Sequence, residues 1–231
     1  MDQIKIVNFI KKLKDQLGKR VLSAITILPI ILLSIIIGDI FFLILLLITL
    51  ILLSFEASRI LIASNWRNNI KFYIYIGLYI FTATISLYYI AIFKQQNIEI
   101  LFLFSVIWLN DIFAYYIGKK VKGPKLAPRI SPNKTISGFL GGILGGVLIS
   151  ISFYLFSKNI SLLAMIILAT IISILAVIGD LIESFIKRKL KIKDSGCIIP
   201  GHGGMFDRLD SILFTSPFFA LYISTSNIVL F

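Results

Sequence analysis

Residues 21–55 read VLSAITILPIILLSIIIGDIFFLILLLITLILLSF, and Asp39 is the one ionisable side chain among them. A helix rises 1.5 Å per residue, so about 20 apolar residues cross the roughly 30 Å hydrocarbon core of a bilayer. The stretch is too long for one such helix. Gly38-Asp39 near its middle reads as a tight turn between two, 21–38 and 40–55. Working outward, charge-free windows recur at 72–93, 135–157, 159–179 and 211–231, and another at 100–118 is broken once, by Asp111. The spacing predicts an all-α fold, a polytopic integral membrane helical bundle of about seven transmembrane helices. A basic segment precedes the first window, but the apolar run is too long for a secretory signal and no small-residue cleavage site follows, so the window is expected to stay.

Composition agrees and adds a second requirement. Of 231 residues 58% are hydrophobic and 15% charged, against about 25% charged in soluble domains. A soluble globular enzyme and a disordered chain are excluded. One cysteine, Cys197, and one histidine, His202, exclude a disulfide scaffold and a metal site built on histidines or thiolates. Yet Lys and Arg outnumber Asp and Glu by 23 to 11, a net +12 that must be placed somewhere. The six cations ahead of residue 21, three near the second connection, six in 119–134 and six in 187–208 fall on one side, and only Lys94 and Lys158 on the other. The positive-inside rule puts the N-terminus and both long basic loops in the cytoplasm, where Cys197 is a free thiol. Residues 1–20 place Ile6, Ile10, Leu13 and Leu17 on one helical face amid lysines. They form a separate basic segment ahead of a membrane-embedded domain, 21–231, and read either as a surface-lying helix or as a basic tail.

Ionisable groups inside a span cost roughly 2.5–3.5 kcal/mol each, so each needs a reason. Glu56 is expected to pair with Arg59, three residues on. Asp180, Glu183, Ser184 and Lys187 follow an apolar helix at i, i+3, i+4 and i+7 and share one face. Downstream, Asp207 and Asp210 flank Arg208, after Pro200-Gly201-His202-Gly203-Gly204, a run that cannot be regular helix and can approach a ligand closely. The loop from Lys119 to Thr135 carries Pro124, Pro128 and Pro132, which make it ordered, non-helical chain suited to binding anionic phosphate. Carboxylates beside so many cations suit Mg²⁺, which takes oxygen ligands and bridges to phosphates. The pattern predicts phosphoryl or nucleotidyl transfer at the cytoplasmic lipid-water boundary.

The stretch from Gly179 to Arg188, then Lys193-Asp194, then Ile199 to Ser211, closely resembles the C-terminal signature of the phosphatidate cytidylyltransferase (CDP-diacylglycerol synthase) family. Asn110-Asp111 with Ala114-Tyr115, followed by Lys125 to Thr135 and Gly138, is similar to the same family's second block, and the matched blocks cover 110–211. The resemblance implies a transferase of phospholipid biosynthesis in the cell inner membrane, active site facing the cytoplasm, that converts CTP and phosphatidate to CDP-diacylglycerol and pyrophosphate. It implies Mg²⁺, with a monovalent cation such as K⁺ assisting, and calls for no nucleic acid. Carried over residue by residue, Asp180 and Asp207 hold the metal, supported by Asp210 and Glu183, and Lys187 and Arg208 join Asp180 and Asp207 as catalytic residues. Substrate contacts fall to Ser131, Lys134, Thr135, Ser184, Arg188, His202, Gly203, Gly204, Asp111 and Tyr115.

One departure stands out. The family has an acidic residue where this chain has Ser137 before Gly138; either that carboxylate is dispensable, or Glu183, Asp111 or Glu56 takes its part, or activity is reduced. The chain is also expected to lack one or two early helices of the family. Gly138, Gly142 and Gly146, with Gly141 and Gly145, form a close-approach stripe, expected to pack within one subunit, with a homodimer contact as the other reading. Rival functions are a CTP-dependent polyprenol or phytol kinase, which needs a base for the lipid hydroxyl, and a transporter for an anionic solute. The transporter reading lacks repeated halves and mid-membrane charge.

Overall fold

The computed structural model describes residues 25–63, 70–92, 97–157, 160–199 and 203–226. The basic segment 1–20 and His202 lie outside them. Among the described residues, seven helices follow the windows expected from hydropathy: α1 (Ile25–Ile37), α2 (Asp39–Ala63), α3 (Ile70–Ile92), α4 (Ile98–Val121), α5 (Ile136–Tyr154), α6 (Leu162–Lys189) and α7 (Phe206–Ser226). Five of them, α2 to α6, are long and apolar enough to cross a membrane. The break between α1 and α2 falls at Gly38, whose φ of +73° an L side chain rarely adopts. Outward-facing Ile51 and Leu163 are 66% and 67% exposed, a surface that acyl chains cover at no cost and water would not.

The helices pack as a series of neighbours, α2 on α3, α3 on α7, α7 on α6, α6 on α5 and α5 on α4, with α4 also touching α3, α6 and α7. Phe102, Val106 and Ile107 of α4 meet Met165, Ala169 and Ile172 of α6 and Phe219 of α7 in the main core. A smaller cluster joins Leu53 and Ala57 of α2 to Ile80 and Ala83 of α3 and Leu213 of α7.

The glycine stripe is spent inside the subunit. A Cβ on Gly142 would lie 2.5 Å from Asn110 Oδ1 and 3.0 Å from Asn110 O, and one on Gly145 would lie 2.6 Å from Leu109 O. The stripe is therefore the seam between α5 and α4. Because Asn110 is fully buried and cannot swing away, Gly142→Ala should destabilise the protein by about 1–3 kcal/mol. Thermal unfolding in detergent reads this directly; an unchanged midpoint would show that the seam can relax.

The described bundle is all-helical apart from one short element. The proline-bearing loop forms two short antiparallel strands, β1 (Lys125–Ala127) and β2 (Ser131–Thr135), with Lys125 opposite Thr135 and Ala127 opposite Ser131. Proline cannot donate to a ladder, and a two-stranded ribbon leaves each strand an outer edge where that costs nothing. Lys122 and Gly123, at φ +61° and +102°, end α4, and the Ile136 amide donates to Pro124 O at 3.0 Å. Thr135 then caps α5 by accepting from the Gly138 amide at 3.1 Å. The ribbon is thus stitched at both ends to α4 and α5.

Candidate active site

α6 and α7 touch at a glycine: a Cβ on Gly179 would lie 2.6 Å from Phe214 Cβ and 2.9 Å from Asp210 O. That approach brings Asp210 of α7 to Asp180 and Glu183 of α6. One carboxylate oxygen from each of the three lies within 4.8 Å of the others. Ser184 Oγ, one turn on, donates to Asp180 Oδ1 at 3.3 Å, and Lys134 Nζ reaches over from β2 to 2.5 Å from Asp180 Oδ2. The face expected from the i, i+3, i+4, i+7 spacing is present on one unbroken helix, because α6 continues to Lys189.

Asp207 stands in a neighbouring network. Its Oδ1 takes Lys187 Nζ at 2.5 Å, and the same ammonium lies 2.6 Å from Glu183 Oε2. Its Oδ2 accepts from the amides of Ser195 and Gly204 at 2.9 and 3.1 Å, with Ser195 Oγ at 3.0 Å. Asp207 belongs to the first turn of α7, outside the five spanning helices. Burial alone would push its carboxyl up, but the Lys187 ion pair and the Ser195 and Gly204 amides outweigh it and hold Asp207 below the usual carboxylate range. Of the four expected metal ligands, three converge here, and both oxygens of the fourth are already engaged.

A cleft of about 840 Å³ opens beside the trio between α4, the ribbon, α5 and α6. Asp111, Tyr115, Lys134, Thr135 and Asp180 line it, together with Lys119, Lys122 and Lys125. Four lysines beside one wall of carboxylates make a site for an anion that brings or meets a cation. Asn110, fully buried, also lines it and donates to Asp111 Oδ1 at 3.4 Å. Ser131, Ser184, Arg188, Gly203 and Gly204 do not line the cleft. Arg188 instead straps the ribbon to α6: Nε donates to Ile130 O at 3.4 Å and Nη1 to Ile192 O at 3.2 Å. Gly203, at φ +90°, pairs with Ile199, and Arg208 is exposed on the first turn of α7.

The expected Glu56–Arg59 pair is not what forms. Arg59 lies over the Phe55 ring, 5.6 Å from its centroid. Glu56 is buried and turns toward the loop before α7, accepting from Ser195 Oγ at 3.0 Å and from the Met205 and Phe206 amides at 2.7 and 3.0 Å. Helical spacing points to a local partner, whereas these partners lie 139–150 residues away in sequence. The burial of a carboxylate in an apolar helix is the one signal that could have flagged it.

The family model described as "Cytidylyltransferase family" matches residues 60–226. The chain belongs to that family. Among curated relatives, phosphatidate cytidylyltransferase of Rickettsia felis is 37% identical over 219 residues, covering 88% of this chain and 91% of the relative. That of Rickettsia bellii is 38% identical over 221 residues, 89% and 90% of the two chains. That of Bacillus subtilis is 37% identical over 135 residues, 57% of this chain and 50% of the relative. The region matched by the cytidylyltransferase model contains the trio, the cleft and the ribbon.

Ser137, where the family pattern has an acidic residue, sits at the base of the ribbon. Its hydroxyl donates to Lys122 O and lies 3.1 Å from Thr135 Oγ1. It is half-buried and outside the cleft lining. Ser137→Glu should therefore change kcat/KM by no more than about 3-fold, as for a substitution outside the cleft lining. A gain of tenfold or more would mean that the missing carboxylate matters.

Proposed function

We propose that this protein transfers the cytidylyl group of CTP to phosphatidate, forming CDP-diacylglycerol and pyrophosphate, as a multi-pass enzyme of the cell inner membrane. The observation that carries the reading is the meeting of the Asp180, Glu183 and Asp210 carboxylates with a lysine-lined cleft in a chain of the cytidylyltransferase family. The concentration of Lys and Arg on one side supports a cytoplasmic active site and N-terminus.

The trio offers only carboxylate oxygens, a hard donor set that fits Mg²⁺. Bound there, Mg²⁺ would neutralise charge developing on the transferring and leaving phosphates, and K⁺ is the second ion this reading includes. The rest falls to the chain. Lys119, Lys122 and Lys125 attract the triphosphate into the cleft, and Lys134 exchanges Asp180 for a phosphate oxygen. Asp111 and Tyr115 shape the same pocket, with Ser131, Thr135 and the Arg188 strap fixing the ribbon. Lys187 holds Glu183 and Asp207 in place and, with Arg208, serves the substrate phosphates; His202, Gly203 and Gly204 shape the nucleotide pocket. The phosphatidate oxygen attacks the α-phosphorus of CTP in line as the bond to the β-phosphate bridging oxygen breaks, and pyrophosphate leaves with that electron pair. A phosphate attacking as an ion at pH 7 needs no general base.

The test is purified protein in lipid nanodiscs with CTP, Mg²⁺ and phosphatidate. CDP-diacylglycerol and pyrophosphate should appear in equal amounts. Folded protein that forms neither, or that passes the γ-phosphoryl of CTP to a polyprenol and releases CDP, overturns the reading.

A further inference from the structure

We infer that Glu56 is a positioning residue of this site, holding the first turn of α7 in the register that brings Asp207 and Asp210 to α6; the inference rests on the cytidylyltransferase reading above. Glu56 is 2% exposed, and a buried carboxylate persists only where hydrogen bonds replace its water. It finds them on α7. The Met205 and Phe206 amides belong to the group of N-terminal donors that a helix leaves without intrahelical acceptors, and both point at Glu56 Oε2. Met205, the residue before α7, has no oxygen side chain to cap it, so the cap comes from another helix, with a charge that the α7 dipole favours.

The loop is shaped around this carboxylate. A Cβ on Gly196 or on Gly204 would overlap Glu56 Oε1, so both positions are glycine where Glu56 comes closest. Ser195 Oγ lies 3.0 Å from Glu56 Oε1 and 3.0 Å from Asp207 Oδ2. With one hydrogen, the hydroxyl donates to one carboxylate at a time and ties the two together. The chain of contacts continues from Asp207 through Lys187 to Glu183, a member of the metal-binding trio. Glu56 itself does not line the cleft. Its effect runs through α7: a shift of the helix start carries Asp207, Arg208 and Asp210 with it, and Asp210 loses its approach to Asp180 and Glu183.

The test compares three variants in nanodiscs. Glu56→Ala should lower kcat by about 100-fold, the cost of misplacing reacting groups by an ångström, with KM for CTP little changed. Glu56→Gln should retain most activity, because its amide oxygen can accept from Met205 and Phe206 while its NH₂ donates to Ser195. Leu53→Ala, a cavity on the same face of α2, should lower thermal stability and leave kcat near normal. Activity falling in step with stability in both alanine variants overturns the inference, as does Glu56→Gln as inactive as Glu56→Ala. Trypsin cleavage after Lys191 and Lys193 gives a readout independent of turnover. It should accelerate in Glu56→Ala only, and equal cleavage in all forms overturns the inference. Wild-type protein without cytidylyl transfer would sink the functional reading, and the cleavage pattern would still decide whether Glu56 holds the loop.

Discussion

Asp180→Asn loses cytidylyl transfer by about 10²–10³-fold in kcat, the scale of removing one preorganised electrostatic group, and keeps its thermal stability. Both halves follow from position. Asp180 belongs to the trio and to the cleft wall, so on the proposed reading it stands where the nucleotide phosphates and the ion meet. Its side chain is 34% exposed, and its ionic partner Lys134 is 25% exposed, so water replaces much of what the substitution removes and the fold hardly notices. Asparagine keeps the Ser184 hydrogen bond by accepting on its amide oxygen. Steady-state rates across a Mg²⁺ titration, beside melting curves in the same detergent, test the pair of expectations. Near-normal turnover would remove Asp180 from the site.

Asp207→Asn should be equally inactive for a different reason, and less stable. The Asp207 side chain is 10% exposed and meets an ammonium on one oxygen and two amides and a hydroxyl on the other. An asparagine has one acceptor oxygen. Whichever way it turns, its NH₂ confronts Lys187 or the Ser195 and Gly204 amides. We expect a loss of about 2–3 kcal/mol of stability, as for a half-buried pair broken on one side, together with loss of transfer. Melting temperature and rate measured on the same preparation separate the two aspartates. Inactive but stable Asp207→Asn would place it among the ion's own ligands, beside Asp180.

Much of the bundle is legible in the residues. Charge-free windows mark the positions of six of the seven described helices, a window broken only by Asp111 marks α4, and Gly38 marks the break between α1 and α2, because hydrocarbon forces every backbone amide into local helical bonds. Three prolines correctly rule out helix across the ribbon, but they leave strand pairing open, since pairing depends on a partner strand and not on local propensity. In the site, Asp180, Glu183, Ser184 and Lys187 are legible as one face because helical period is a local property. Glu56 is misread for the same reason: its true partners are distant in sequence, and Arg59 is merely near.

The sequence by itself determined that this is a helical membrane protein of the cytidylyltransferase kind, with clustered carboxylates and cations in its 110–211 blocks. Composition, periodicity and a contiguous motif are written in local chain. Only the tertiary structure decided which carboxylates share an ion-sized space, because that follows from where Gly179 lets α7 approach α6. It also decided that Asp207 is engaged by Lys187 and the loop, and that Glu56 caps α7 from across the bundle. A buried charge takes whichever donors the folded chain leaves unsatisfied near it, and that choice is made by packing.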